Sequence, residues 1–177
     1  MFKEEREDYQ FQWKDIGNIQ KGRPNLGETT MVAVYRLMQY TLRDVLIKEF
    51  NVDKAGEIFV KAGKQAGLEF CKNVLNTKLN FNEFIADLQQ KLKTLNIGIL
   101  RIEKADIEKM EFILTVEEDL DCSGLPVSGE TVCNYDEGFI AGILNAYTGN
   151  KFDVKEIDCW TSGETVCRFH ANLEVQE

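Results

Sequence analysis

The chain has 177 residues, 44% apolar and 29% charged, which suits one folded domain with a core large enough to need no cross-links. Acidic residues outnumber basic ones 30 to 21, and the net charge of −9 disfavours phosphate backbones and anionic lipid surfaces as partners. No apolar run reaches the roughly eighteen residues that span a bilayer, and the start, MFKEEREDYQ, is charged where a signal peptide is apolar. The chain is therefore read as cytoplasmic, without membrane insertion, and its five cysteines are not read as a disulfide framework.

Residues 1–29 pattern weakly and read as an N-terminal extension lying on a single domain of residues 30–177, with a short strand expected around Tyr9–Trp13. From Thr30 to Phe50, Val34, Leu37, Met38, Leu42, Val45 and Leu46 recur at helical spacing. Asp53 is the expected cap of a second helix running from Lys54 to about Leu75. That helix carries Gly63 and Gly67 beside Ala62 and Ala66. Small residues one turn apart let another backbone approach, in a core helix–helix contact or an oligomer seam. A third helix is expected over Asn82–Leu95.

The period then changes. Ile97, Ile99 and Ile107, and after a polar stretch Phe112, Leu114 and Val116, alternate as strands do. Asn134–Thr148 reads as a helix closed by Gly149, and two further strands are expected over Phe152–Trp160 and Thr165–Glu174. Helices followed by this arrangement predict an α+β domain, helices packed on a four-stranded, mainly antiparallel sheet.

Four of the five cysteines crowd into the last third. The hexapeptide SGETVC occurs twice, at Ser128–Cys133 and Ser162–Cys167, each copy preceded by another cysteine, Cys122 or Cys159. This suggests one small hairpin turn used twice. A hairpin centred on Gly163 would oppose Cys159 and Cys167 across two strands. Cys133 directly precedes a helix, whose N-terminal amides favour a thiolate. Three thiolates converging in this way make a soft site, for which zinc is the natural ion. The fourth ligand is Glu156 or Cys122. Glu156 lies three residues before Cys159, so both face inward only if a bulge interrupts the strand. The sole histidine, His170, falls on the opposite strand face from Cys167.

The segments Cys133-Asn134-Tyr135-Asp136-Glu137-Gly138-Phe139-Ile140-Ala141-Gly142, Glu156-Ile157-Asp158-Cys159 and Gly163-Glu164-Thr165-Val166-Cys167-Arg168-Phe169 resemble the 4-vinyl reductase domain family. The family is related to the sensor domains of aromatic-compound-responsive regulators. The resemblance implies a fold shared with haem-nitric-oxide sensors and vesicle-tethering subunits, usually dimeric. It implies zinc bound by Cys133, Glu156, Cys159 and Cys167, with Cys122 as the alternative fourth ligand. It further implies an apolar ligand cavity between helices and sheet, for which Phe84, Leu88, Phe112, Leu114, Tyr135 and Phe139 are the candidate lining.

No P-loop, G-x-G-x-x-G, G-x-S-x-G or H-E-x-x-H pattern is present, so no residue is assigned a catalytic role. With no histidine before residue 170, a phenol-gripping histidine is missing and a more purely hydrophobic ligand is favoured. The resulting expectation is a zinc-stabilised, homodimeric sensor or carrier domain for a hydrophobic or aromatic small molecule, whose output belongs to a separate protein. The alternatives are a reductase or accessory protein acting on a tetrapyrrole-like substrate, and a dimeric assembly module.

Overall fold

A computed structural model describes residues 10–174 of the chain. Five helices and four strands follow in the order α1 (Ile19–Gly22), α2 (Val32–Glu49), α3 (Val52–Val74), α4 (Phe81–Thr94), β1 (Ile99–Asp106), β2 (Glu111–Glu117), α5 (Asn134–Thr148), β3 (Phe152–Asp158) and β4 (Cys167–Leu173). The strands form one sheet in the order β1-β2-β4-β3, with every neighbouring pair antiparallel. The expected α+β architecture is therefore the observed one.

The sheet's inner face carries Leu100, Phe112, Leu114, Val154, Phe169 and Ala171, all buried. Helix α4 lies over β1 and α5 over β3, and α3 covers α5. The α3–α5 contact is a backbone-to-backbone seam. A methyl at Gly63 or Gly67 would strike the carbonyl of Tyr135 or Phe139, and one at Gly138 or Gly142 would strike that of Val60 or Lys64. The glycine-bearing stretch of α3 is thus a core helix contact, and its partner is within the same chain.

The start differs from expectation. Tyr9 lies outside the described residues, and no strand forms over residues 10–13. Trp13–Ile16 instead makes a 3-10 turn, held because Gln12 N–H donates to Asp15 (2.9 Å) and Trp13 N–H to Glu69 of α3 (2.9 Å). The cap of α3 also differs: Asn51, not Asp53, accepts the Lys54 N–H at 2.7 Å, and Asp53 sits in the first turn. Replacing Asn51 with alanine is accordingly expected to remove about 1 kcal/mol of stability, a melting shift of roughly 2–4 °C, whereas Asp53→Ala leaves the cap intact and shifts it less. Paired thermal melts of the two variants check this.

Helix α2 reverses the usual orientation of an amphipathic helix. Its apolar stripe faces outward, with Leu37 67% and Met38 59% exposed, while its one buried residue is Gln39. The inward side is polar. Tyr35 and Gln39 donate to the Asp121 carboxylate at 2.8 and 2.6 Å, and Tyr40 to the Asp121 carbonyl at 3.1 Å. The Arg36 guanidinium donates to the carbonyls of Asp119, Leu120 and Ser123. Helix α2 thus clamps the loop after β2, which carries Cys122.

Candidate metal centre and cavity

Four segments bring cysteines to one point. Cys122 stands on the loop after β2, where Asp119 Oδ1 accepts the N–H groups of Asp121 (2.7 Å) and Cys122 (3.3 Å) and folds the chain back. Cys133 is the N-cap of α5. Cys159 follows β3, and Cys167 opens β4. The expected hairpin about Gly163 is replaced by a 3-10 turn over Trp160–Ser162, with Gly163 at φ 106° closing it. Cys159 and Cys167 are consequently not a ladder pair; pairing ends at Asp158 with Arg168.

The first SGETVC copy is not a hairpin either. It runs as a loop whose Ser128 and Gly129 N–H groups donate to the Thr161 carbonyl at 2.8 and 2.9 Å. Thr161 in turn donates its hydroxyl to the Glu130 carbonyl at 2.6 Å. The two copies therefore cross each other at Thr161, and that crossing sets Cys133 beside Cys159 and Cys167.

The four sulfurs of Cys122, Cys133, Cys159 and Cys167 all lie within 4.8 Å of one another, and all four residues are fully buried. Cys133 Sγ is 3.8 Å from Cys159 Sγ and 3.9 Å from Cys167 Sγ, and Cys122 Sγ is 3.0 Å from Cys167 Sγ. A tetrahedron with sulfurs about 2.3 Å from a central zinc has edges of about 3.8 Å, so this donor set fits zinc closely. Shared S–H contacts with Cys122 and the other two thiols, together with burial, push the Cys133 thiol far up. Comparable contacts draw Cys159 far down. The negative charge therefore gathers on Cys159, and not on the helix-capping Cys133.

Glu156 reaches the same centre by another route. A register shift between Glu156 and Asp158 supplies the bulge that lets Glu156 and Cys159 both turn inward. Its Oε2 accepts the Cys133 N–H at 2.9 Å, and its Oε1 is buried without a hydrogen-bond partner. Burial pushes its pKa up to about 8. The sulfur tetrad forms without it; the carboxyl braces the Cys133 backbone. His170 lies on the outer sheet face with Nε2 3.1 Å from Glu111.

Beneath α4 lies an apolar cavity of about 40 Å³. Ile85, Leu88 and Leu92 of α4, Leu114 and Val116 of β2, and Phe139, Ile140 and Ile143 of α5 contribute to its lining. Of the six lining candidates expected from the sequence, Leu88, Leu114 and Phe139 are brought together there. Phe84 stacks on Tyr147 at 3.8 Å between centroids and Phe112 stacks on Phe81, while Tyr135 stacks on Phe139 from outside the lining. Two polar residues at the cavity wall, Asp119 and Asp136, are not among the sequence candidates. Asp119 stands in an acidic run that reads as solvated loop, and Asp136 in a helix first turn where acids commonly answer the helix dipole.

Among the described residues, no helix is long and apolar enough to cross a membrane. The uncharacterized protein MJ0150 of Methanocaldococcus jannaschii is 29% identical over 91% of this chain and 88% of its own length. MJ1642 of the same organism is 27% identical over 84% and 81%. Three solved structures share the fold. The phenol-responsive sensory domain of the transcription activator PoxR has a TM-score of 0.64 at 14% identity, covering 83% of this chain and 76% of its own. A vinyl-4-reductase family protein of M. jannaschii has 0.61 at 17%, covering 93% and 98%. Trafficking protein particle complex subunit 3 of Naegleria fowleri, covalently bound to palmitic acid, has 0.66 at 12%, covering 81% and 95%. A haem-nitric-oxide sensor type protein (H-NOX) of S. oneidensis matches at 0.50, with 11% identity over 77% of this chain and 74% of its own. Residues 112–173, which hold all four clustered cysteines, match the 4-vinyl reductase domain family, and the chain carries a domain of that family over that stretch.

Proposed function

We propose that this chain is a zinc-braced, homodimeric sensor or carrier domain that takes a hydrophobic small molecule into the cavity beneath α4. The observation that carries the zinc assignment is the buried sulfur tetrad, whose edge lengths suit a four-thiolate zinc site. Such a site has no open position, which favours a bracing role over catalysis. The ligand reading rests on the apolar cavity, with the phenol bound by the PoxR domain and the palmitic acid on the trafficking subunit as analogies from the shared fold. Residues 30–177 are proposed to form the domain, with residues 1–29 an extension laid on it through Trp13. The proposed setting is the cytoplasm, with a separate protein reading the output.

Elemental analysis and native mass spectrometry on reduced, freshly purified protein test this. The expected result is one zinc per chain and an added small-molecule mass; protein without metal overturns the zinc reading.

The homodimer is proposed from α2. Val34, Leu37, Met38, Leu42 and Val45 form one exposed apolar face on a helix whose other side is already occupied. Such a stripe is more than scattered surface hydrophobics and suits a second copy of itself. Leu42→Glu is expected to convert a dimer to a monomer by light scattering with zinc content retained. A wild-type monomer at micromolar concentration would contradict the assignment.

An assembly module is the second reading, favoured by the same α2 face and by the small cavity. Zinc without any ligand mass, on a dimer, would select it.

A further inference from the structure

The cavity's polar end is acidic and lacks a counter-charge. Oδ2 of Asp136 is buried without a hydrogen-bond partner among the described residues, and Asp136 lines the cavity together with Asp119. Carboxylate oxygens of both aspartates and Cys133 Sγ lie within 4.8 Å of one another. No lysine, arginine or histidine contributes to the lining, whose other members are all apolar. The nearest arginines are engaged elsewhere: Arg36 bonds to loop carbonyls, and Arg43 to the Val132 carbonyl and the Asn134 side chain. Burial, with the charges of Asp121, Asp119 and Glu156 adding to it, drives the Asp136 carboxyl well above its ordinary range. A helix-dipole role alone does not account for an oxygen directed to an apolar cavity and left unbonded. Buried charge is otherwise paired or metal-bound.

We propose that Asp136, with Asp119 beside it, anchors the ammonium of a hydrophobic amine whose apolar body lies along Leu88, Leu92, Leu114 and Phe139. This rests on the reading of the cavity as a ligand site and names the class of ligand. At about 40 Å³ the cavity takes a few waters as it stands, so the amine enters by displacing side chains of the α4 wall. The acidic end repels carboxylates and phosphates, so fatty acids are excluded.

The test uses zinc-loaded, full-length protein with hexylamine, hexanol and hexanoate as probes of equal chain length, followed by calorimetry and amide chemical shifts. Hexylamine is expected to bind about tenfold or more tightly than hexanol, with hexanoate weakest, because a charged hydrogen bond is the added contact. Asp136→Asn, nearly isosteric, is expected to erase the preference of amine over alcohol while leaving hexanol affinity within about twofold, circular dichroism and zinc content unchanged. Its melting temperature is expected to rise, since an unpaired buried oxygen is neutralised. Equal binding of amine and alcohol, or a preference that survives Asp136→Asn, overturns the anchor but leaves the cavity reading intact. Failure of all three probes overturns both. A second zinc per chain that Asp136→Asn removes overturns the amine in favour of a metal at Asp119, Cys133 and Asp136.

Discussion

Gly67→Ala is expected to destabilise the fold by about 3 kcal/mol or more, against the intrinsic preference of a helix for alanine, which by itself gains about 1 kcal/mol. The reason is the closeness of α3 and α5. The added methyl would overlap the Phe139 carbonyl and press on the Ile143 amide, and these are backbone atoms in the middle of a helix. A side chain could rotate away; a helix must move as a body, and α5 is fixed on its far side by β3. Moving α5 would also displace Cys133 at its N-terminus and Phe139 in the cavity wall. Gly56→Ala is the control on the same helix. A methyl there meets only the Asn134 side chain at 3.5 Å, an ordinary contact, so the substitution is expected to be neutral or stabilising by up to about 1 kcal/mol. Urea denaturation of the two variants beside the wild type separates these outcomes. Equal stability of Gly67→Ala and Gly56→Ala would mean that the helices are further apart than described.

What could be read from the sequence follows from which forces act locally. Helix α5 is legible because Gly149, at φ 77°, ends an apolar helical run, and the strands because their burial alternates with period two. The convergence of Cys133, Cys159 and Cys167 is legible from the repeated hexapeptide, although its physical basis is different. The two copies are joined by hydrogen bonds at Thr161 and are not two hairpins. Helical spacing marks the stripe on α2 but does not say which way it points. The direction depends on Gln39 and Tyr35 finding Asp121, a partner more than eighty residues away. Asn51 and Asp53 are equally good caps in isolation, and only the start of the helix decides between them. Asp119 and Asp136 are hidden for a related reason. Acids in a loop and in a helix first turn are solvated in most proteins, and nothing nearby in the chain indicates that these two meet at a cavity.

The largest effect is expected at the sulfur tetrad. Cys167→Ser, with zinc as the proposed ion, is expected to release the metal and lower stability by about 4 kcal/mol or more, the range associated with loss of a metal site. For a chain of this size that corresponds to a fall in melting temperature of roughly 8–16 °C. The effect is large because the site ties the loop after β2, the start of α5, the end of β3 and the start of β4, segments otherwise joined mainly through Thr161 and Glu156. Cys122→Ser is expected to behave in the same way, since its sulfur stands 3.0 Å from that of Cys167. Glu156→Gln provides the contrast. Its side chain accepts the Cys133 N–H, and a glutamine carbonyl oxygen can do the same, so zinc is expected to stay bound and the melting temperature to change by only a few degrees. Zinc content after dialysis against a chelator, measured for all three variants, decides the ligand set. Loss of metal in Cys122→Ser with retention in Glu156→Gln identifies a four-sulfur site with the carboxyl bracing the Cys133 backbone. The reverse pattern would make Glu156 the fourth ligand, with its partnerless Oε1 the coordinating atom, and Cys122 a buried thiol beside the site.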